Sequence, residues 1–130
     1  MIVDASVLVD YLNGLTNPET EWLDLRLDRE RLGLTSITIV EVLQGVRDEH
    51  AASAVELVLG EFELITMPDP RTAIDAARNY RRLRADGRTI RNTIDVLIAS
   101  YCLRHHHSLL HRDRDFDVFE ARLGLSVIHP

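Results

Sequence analysis

Five acidic residues stand where acids are unusual. Asp4 follows the apolar tripeptide Met1-Ile2-Val3, and Glu41 lies inside "TIVEVL" (38–43). Asp95 interrupts the apolar "TIDVLIAS" (93–100), and Asp113 and Asp115 occur in "LLHRDRDFDVF" (109–119) behind a short apolar run. Carboxylates gathered around one point repel each other and raise one another's pKa unless a cation separates them. Hard divalent ions such as Mg²⁺ and Mn²⁺ prefer such oxygen ligands. An ion held this way orients and acidifies a water and stabilises charge on a phosphoryl oxygen during in-line displacement.

The elements that must position these acids can be read from periodicity and punctuation. "MIV" reads as a short strand ending at Asp4. Ser6 is placed to cap a helix carrying Val7, Leu8, Tyr11 and Leu12 that stops near Gly14. Pro18 opens a helix over 18–30, and "LGLT" (32–35) reads as the next strand. Ile39, Val42, Leu43 and Val46 follow at helical spacing. A further helix is predicted over 51–60, then a strand in "FELITM" (62–67). Asp69, Pro70 and Gly87 are an N-cap, a first-turn proline and a stop for the helix between them. Ile94, Leu97, Ile98 and Tyr101 mark another helix, capped by Asn92. Strands at 108–110 and 125–128, with a short helix at 116–122, complete the chain. Strands alternating with helices predict an α/β domain, one unit over 1–130, around a mostly parallel sheet. Ligands collect outside the carboxyl ends of such strands, and Asp4 and Asp113 both fall just after one.

Each acid also has a plain structural alternative. Asp4 fits a turn or cap acid. Thr38 to Glu41 matches the S/T-x-x-E capping box. Asp95 in a first turn suits the helix dipole, but a helix apolar nearly all round is a buried one, where a carboxylate needs a partner or an ion. In extended chain Asp113, Asp115 and Asp117 would share a face, and a solvated loop paired with Arg112 and Arg114 explains them equally well.

Composition narrows the rest. The chain has 130 residues, 45% hydrophobic and 28% charged, with net charge −6. Those values fit a soluble globular domain without a uniformly basic nucleic-acid coat. No basic stretch precedes an apolar region at the N-terminus, and no apolar run reaches the roughly 20 residues of a membrane span. Cys102 is the one cysteine, which excludes an internal disulfide and suits a reducing, cytoplasmic setting as a small buried helix residue. All 15 Lys+Arg residues are arginine. That removes lysine-dependent chemistry and counts strongly against aspartyl-phosphate phosphatases and phospho-receiver modules. The former also want a second Asp two residues after the nucleophile, where this chain has Ser6. Between 71 and 91 seven arginines face only Asp75 and Asp86. Arg78, Arg81, Arg82, Arg88 and Arg91 are the candidates for phosphate contacts, against the plainer reading of a solvated helix face.

Taken in order, "MIVDASVLVDYLNG", "SITIVEVLQGV", "NTIDVLIASYCLRHH" and "LLHRDRDFD" resemble the PIN-domain ribonucleases, specifically the VapC toxins of bacterial toxin–antitoxin pairs. The resemblance spans essentially the whole chain. It implies a PIN-like fold and a Mg²⁺-dependent endoribonuclease, with Mn²⁺ as a substitute, that cuts single-stranded RNA or RNA loops. The family pattern falls on Asp4, Glu41, Asp95 and Asp113 as the catalytic acids. Asp4, Asp95 and Asp113 would be metal ligands, with Asp115 at the edge. Glu41 and the ion would activate water and leave 5′-phosphate ends. The resemblance also implies a homodimer, inhibited in a larger assembly by a VapB antitoxin whose tail covers the acidic cleft. One departure is Ala5, where the family commonly has threonine. Ser6 remains as a cap or as a donor to the metal-binding acids. The competing reading is a PIN-like binding module of weak or no activity, which metal binding without cleavage would identify.

The remaining candidates read as structural. His105, His106 and His107 point in different directions on a helix and cannot share one ion. They suit the negative end of a helix. His111 lies beside Asp113, but substrate contact is the weaker reading of it. Trp22 and its neighbouring leucines form core or a partner surface. Phe116 is expected to anchor the last helix, and Asp117 to face solvent.

Overall fold

The computed structural model describes residues 1–130. Four short strands, β1 (Ile2–Val3), β2 (Gly33–Thr35), β3 (Glu63–Ile65) and β4 (Leu109–Leu110), form one parallel sheet in the order β3-β2-β1-β4. The chain steps outward from β1 to β3 and then returns to place β4 on the other side of β1. This reversal puts a crevice at the carboxyl ends of β1 and β4, where parallel sheets bind ligands.

Side chains alternate across the sheet as a two-residue period requires. Ile2 and Leu109 enter one buried cluster, with Leu83, Val96, Ile98, Phe116 and Phe119. Val3 and Leu110 enter the other, with Val7, Leu8, Leu23, Leu34 and Val42. Helices α1 (Ala5–Leu12), α2 (Pro18–Arg26), α3 (Ser36–Leu43) and α4 (Glu49–Leu59) supply the second cluster. Helices α5 (Pro70–Ala85), α6 (Thr93–His105) and α7 (Asp117–Leu123) supply the first. The result is the helix–sheet–helix layering expected of an α/β PIN-like domain.

The longest helices are tied end to end. Asp69 Oδ1 accepts from the N–H groups of Arg71 and Thr72, each at 3.0 Å, and Pro70 opens α5. Asn79 Nδ2 donates to Ser100 Oγ at 2.9 Å, and Arg104 Nη1 to Asp75 Oδ2 at 2.6 Å. Advancing four residues along α5 matches stepping back four along α6, so the two run antiparallel. No helix is long and apolar enough to cross a membrane.

Several expected boundaries shift. Asp4, not Ser6, is the N-cap of α1, because its carboxylate is in position to accept from the Ser6 N–H at 3.0 Å. Thr35, not Thr38, caps α3, so Glu41 belongs to no capping box. The helix from Pro18 ends at Arg26, and 27–30 form turns. Residues 125–128 contribute only a bridge from Val127 to Leu109, since Leu125 turns into the core. Residues 113–117 are not extended. Arg114–Phe116 form a 3₁₀ turn capped by Asp113, and Asp117 starts α7 in solvent.

Phe116 is fully buried and its ring lies 4.9 Å from His111 and 6.2 Å from Phe119. Phe116→Ala should therefore cost about 3–5 kcal/mol in urea unfolding, while Asp117→Ala should stay within about 0.5 kcal/mol of the parent.

Candidate metal and active site

Asp4 leaves the end of β1, Asp113 follows β4, Glu41 projects from α3 behind β2, and Asp95 occupies the first turn of α6. Strand pairing brings the first two together: the Asp4 N–H donates to Leu110 O at 3.0 Å. Carboxylate oxygens of Asp95, Asp113 and Asp115 lie within 4.8 Å of one another. The Asp113 carboxylate accepts from the Asp115 N–H at 2.9 Å, which folds the 3₁₀ turn and turns both acids toward α6.

Asp95 carries the strongest sign of a missing partner. It is only 5% exposed, and its Oδ2 is buried with no hydrogen-bond partner. Burial, followed by the charges of Asp113, Asp4, Asp115 and Glu41, pushes its pKa up to about 7. Glu41, half-buried, is also raised, first by burial and then by Asp4 and Asp113. Asp4 is raised mainly by burial, against the lowering effect of hydrogen bonds from Ser6. These mutual effects place Asp4, Glu41, Asp95 and Asp113 in one electrostatic field. An orphaned buried oxygen among several hard oxygen donors fits a divalent cation.

Ser6 holds the corner together. Its Oγ donates to Asp4 Oδ2 at 2.6 Å and accepts from the Arg112 N–H at 3.0 Å. Asp4 is thus a helix cap that also faces the acidic cluster, with both Ser6 bonds on Oδ2. The Arg112 side chain ion-pairs with Asp10 Oδ2 and with Glu19 Oε2 at 3.2 Å, pinning the segment before Asp113 to α1 and α2. Sequence reading assigned Arg112 to its neighbouring acids. No local pattern reveals partners some hundred residues away. His111 Nδ1 accepts from the Asp113 N–H at 3.2 Å, so this histidine also braces the turn.

The arginine candidates separate. Arg88 and Arg91 line a cavity of about 690 Å³ that Asp115 borders. Arg78 and Arg82 line a second groove with Arg104 and Asp75, where Asp75 pairs with Arg78 at 3.9 Å and with Arg104 at 2.6 Å. Arg81 lines neither. Arg114, read from sequence only as a partner for nearby acids, lines the first cavity. The histidines 105 and 107 stack around Tyr101, with centroids 4.4 and 6.0 Å away.

The raised Asp95 fixes a sign for stability. Folded Asp95 retains its proton to about pH 7, whereas the unfolded chain loses it near the ordinary aspartate value of 3.8. Between those values the folded state binds more protons, so stability falls as pH rises and the penalty is complete above the folded pKa. In EDTA, urea midpoints should decline from pH 5 to pH 8. Asp95→Asn should flatten that slope and add about 1–2 kcal/mol at pH 8.

Comparison with known proteins agrees with this geometry. The family model of the PIN domain matches residues 1–121. The VapC ribonuclease Mb1587 of Mycobacterium bovis is 28% identical over 129 residues, covering 98% of this chain and 96% of that protein. Ribonuclease VapC11 of Mycobacterium tuberculosis matches with the same identity and coverage. Among solved structures, VapBC2 from Rickettsia felis bound to a promoter DNA fragment superposes with a TM-score of 0.79 at 19% identity, covering 98% of this chain and 96% of that one. VapBC-1 from nontypeable Haemophilus influenzae gives 0.76 at 20% identity, covering 98% and 95%. These two likenesses concern the fold. The family model runs through β1, α3, α6 and the Asp113–Asp115 turn, and on that match the chain belongs to the PIN domain family.

Proposed function

We propose that this chain is a metal-dependent endoribonuclease and the toxin of a toxin–antitoxin pair. The observation that carries the reading is the convergence of Asp95, Asp113 and Asp115, with Asp95 Oδ2 buried and unpartnered. The ribonuclease relatives in Mycobacterium and the toxin–antitoxin complexes of the same fold support it.

Asp95, Asp113 and Asp4 would hold Mg²⁺, or Mn²⁺ in its place, with Asp115 at the edge of the cluster. The ion supplies positive charge that acidifies a water and offsets charge on a phosphoryl oxygen. Glu41 is suited to take the proton from the attacking water, because its raised pKa makes it a better acceptor than an ordinary surface glutamate. The water oxygen bonds to phosphorus as the bond to the 3′-oxygen breaks, leaving a 5′-phosphate and a 3′-hydroxyl. Ser6 orients Asp4 through two hydrogen bonds on Oδ2, which favour its ionised form against the opposing effect of burial. Arg88 and Arg91 would contact backbone phosphates close to the reaction, with Arg78, Arg81 and Arg82 further out. A VapB-type antitoxin is the proposed protein partner, its tail covering the acidic cleft. A homodimer is the proposed assembly, working in the cytoplasm.

With end-labelled cellular RNA, discrete cuts should occur in Mg²⁺ or Mn²⁺ and vanish in EDTA. Asp95→Asn should reduce them by about a hundredfold or more. Mg²⁺ at 100 times its Kd should stabilise the wild type by about 2.7 kcal/mol and leave Asp95→Asn nearly unmoved. Ser6→Ala should lower activity by about tenfold while the fold persists. Metal binding with no cleavage of any RNA would favour the inactive binding module instead.

A further inference from the structure

Beside the acids, the α5–α6 loop, the 3₁₀ turn and α7 line an open cavity of which the chemistry above uses only Arg88 and Arg91. It measures about 690 Å³, within the roughly 300–1,000 Å³ of small-ligand sites. Arg88, Arg91 and Arg114 supply its charge, and Ile90 and Val118 its two apolar surfaces. Asp115 borders it and also belongs to the acidic cluster, so the cavity opens directly beside the reaction centre. A second cavity of about 320 Å³ continues from it, sharing Arg88, Arg114 and Val118 and adding Arg122 and Asp117. None of Arg88, Arg91, Arg114 and Arg122 lies within ion-pairing distance of an acid, although Arg26, Arg31, Arg78, Arg104 and Arg112 all do.

Unpaired guanidinium groups along two adjoining cavities, three lining each, repel each other, and an anion bridging them removes that cost. Guanidinium matches phosphate oxygens in a bidentate way. Positive charge alone would suit any polyanion. The apolar pair between the arginines favours a ligand that alternates flat apolar groups with phosphates, which is what a single strand offers.

We propose that this pair of cavities is a nucleotide subsite flanking the scissile phosphate, in which Arg88, Arg91, Arg114 and Arg122 hold successive backbone phosphates while a base lies against Ile90 and Val118. The identity of the strand as RNA rests on the ribonuclease reading. The subsite adds Arg114, Arg122 and the apolar pair, and it gives the strand a direction out of the acidic cleft, across the face of α7. Ile90 and Val118 set no hydrogen-bond pattern, so this subsite tolerates any base.

Binding can be read apart from cleavage. In the full-length Asp95→Asn protein, anisotropy of a short fluorescein-labelled single-stranded RNA would be followed over a salt series. Arg88→Gln and Arg122→Gln should each weaken binding by about five- to tenfold and lower the log–log salt slope by about 0.7, the share of one released phosphate contact. Arg29→Gln, exposed beyond α2 ahead of β2, should bind like the parent. All four side chains are exposed, and matching thermal melts would confirm intact folding. Parent-like affinity and slope in both variants would overturn the subsite, as would failure of the parent to bind RNA or preferential binding of poly-glutamate. Arginine-dependent RNA binding by a wild type that cuts nothing would retain the subsite and sink the nuclease. Cleavage with an unchanged KM in Arg88→Gln and Arg122→Gln would retain the nuclease and sink the subsite.

Discussion

The Asp4 N–H donates to Leu110 O at 3.0 Å, and the whole acidic corner depends on the strand pairing to which that bond belongs. It carries the end of β1 alongside the end of β4, joining residues more than a hundred positions apart. On the other flank β2 pairs with β1 and delivers α3, and with it Glu41, to the same end of the sheet. A slip of one residue in β4 would exchange Leu109 and Leu110 between the two cores and turn the following segment over. Both residues are fully buried, in opposite clusters, so the hydrophobic core enforces the register that places the acids.

Once assembled, the corner works against itself. Asp95 sits in the first turn of α6, where the helix dipole favours its negative charge. Burial and four neighbouring carboxylates oppose that charge more strongly, and its pKa rises to about 7. The fold offsets the conflict only in part. Ser6 donates twice to Asp4. Arg112 spends its charge on Asp10 and Glu19 and leaves the cluster to itself. A site that conserved ordinary stability would have put that guanidinium on Asp113 or Asp95. Excess negative charge facing a buried, unpartnered oxygen is the arrangement a divalent cation resolves.

Positive charge is divided in a complementary way. Where Arg78 and Arg104 meet Asp75, the arginines help bind α5 to α6. Where Arg88, Arg91 and Arg114 line a cavity that Asp115 also borders, they form no ion pair and remain available to a ligand. The same residue type therefore serves packing along the helix pair and leaves open charge at the mouth of the acidic corner. Net charge alone hides this division, because the chain is negative overall.

Much of the layout was legible in the sequence because it rests on local rules. Asp69, Pro70 and Gly87 delimit α5, and Asn92 starts α6, because caps and breakers act within a few residues. The alternation of strands and helices and the apolar surroundings of Asp95 and Phe116 likewise pointed to a parallel α/β sheet and to buried positions. Tertiary structure decided the rest. The same Asp4 caps α1 and lies in the field of Asp113 because β4 pairs beside it, and Thr35, not Thr38, takes the cap of α3. Asp113 and Asp115 converge through a 3₁₀ turn where local alternation suggested an extended row, because burying Phe116 bends the chain. Arg112 finds Asp10 and Glu19 only after the sheet closes. Sequence determined which residues had the chemistry, and long-range packing determined which of them meet, since contacts between distant segments leave no periodic trace in a single chain.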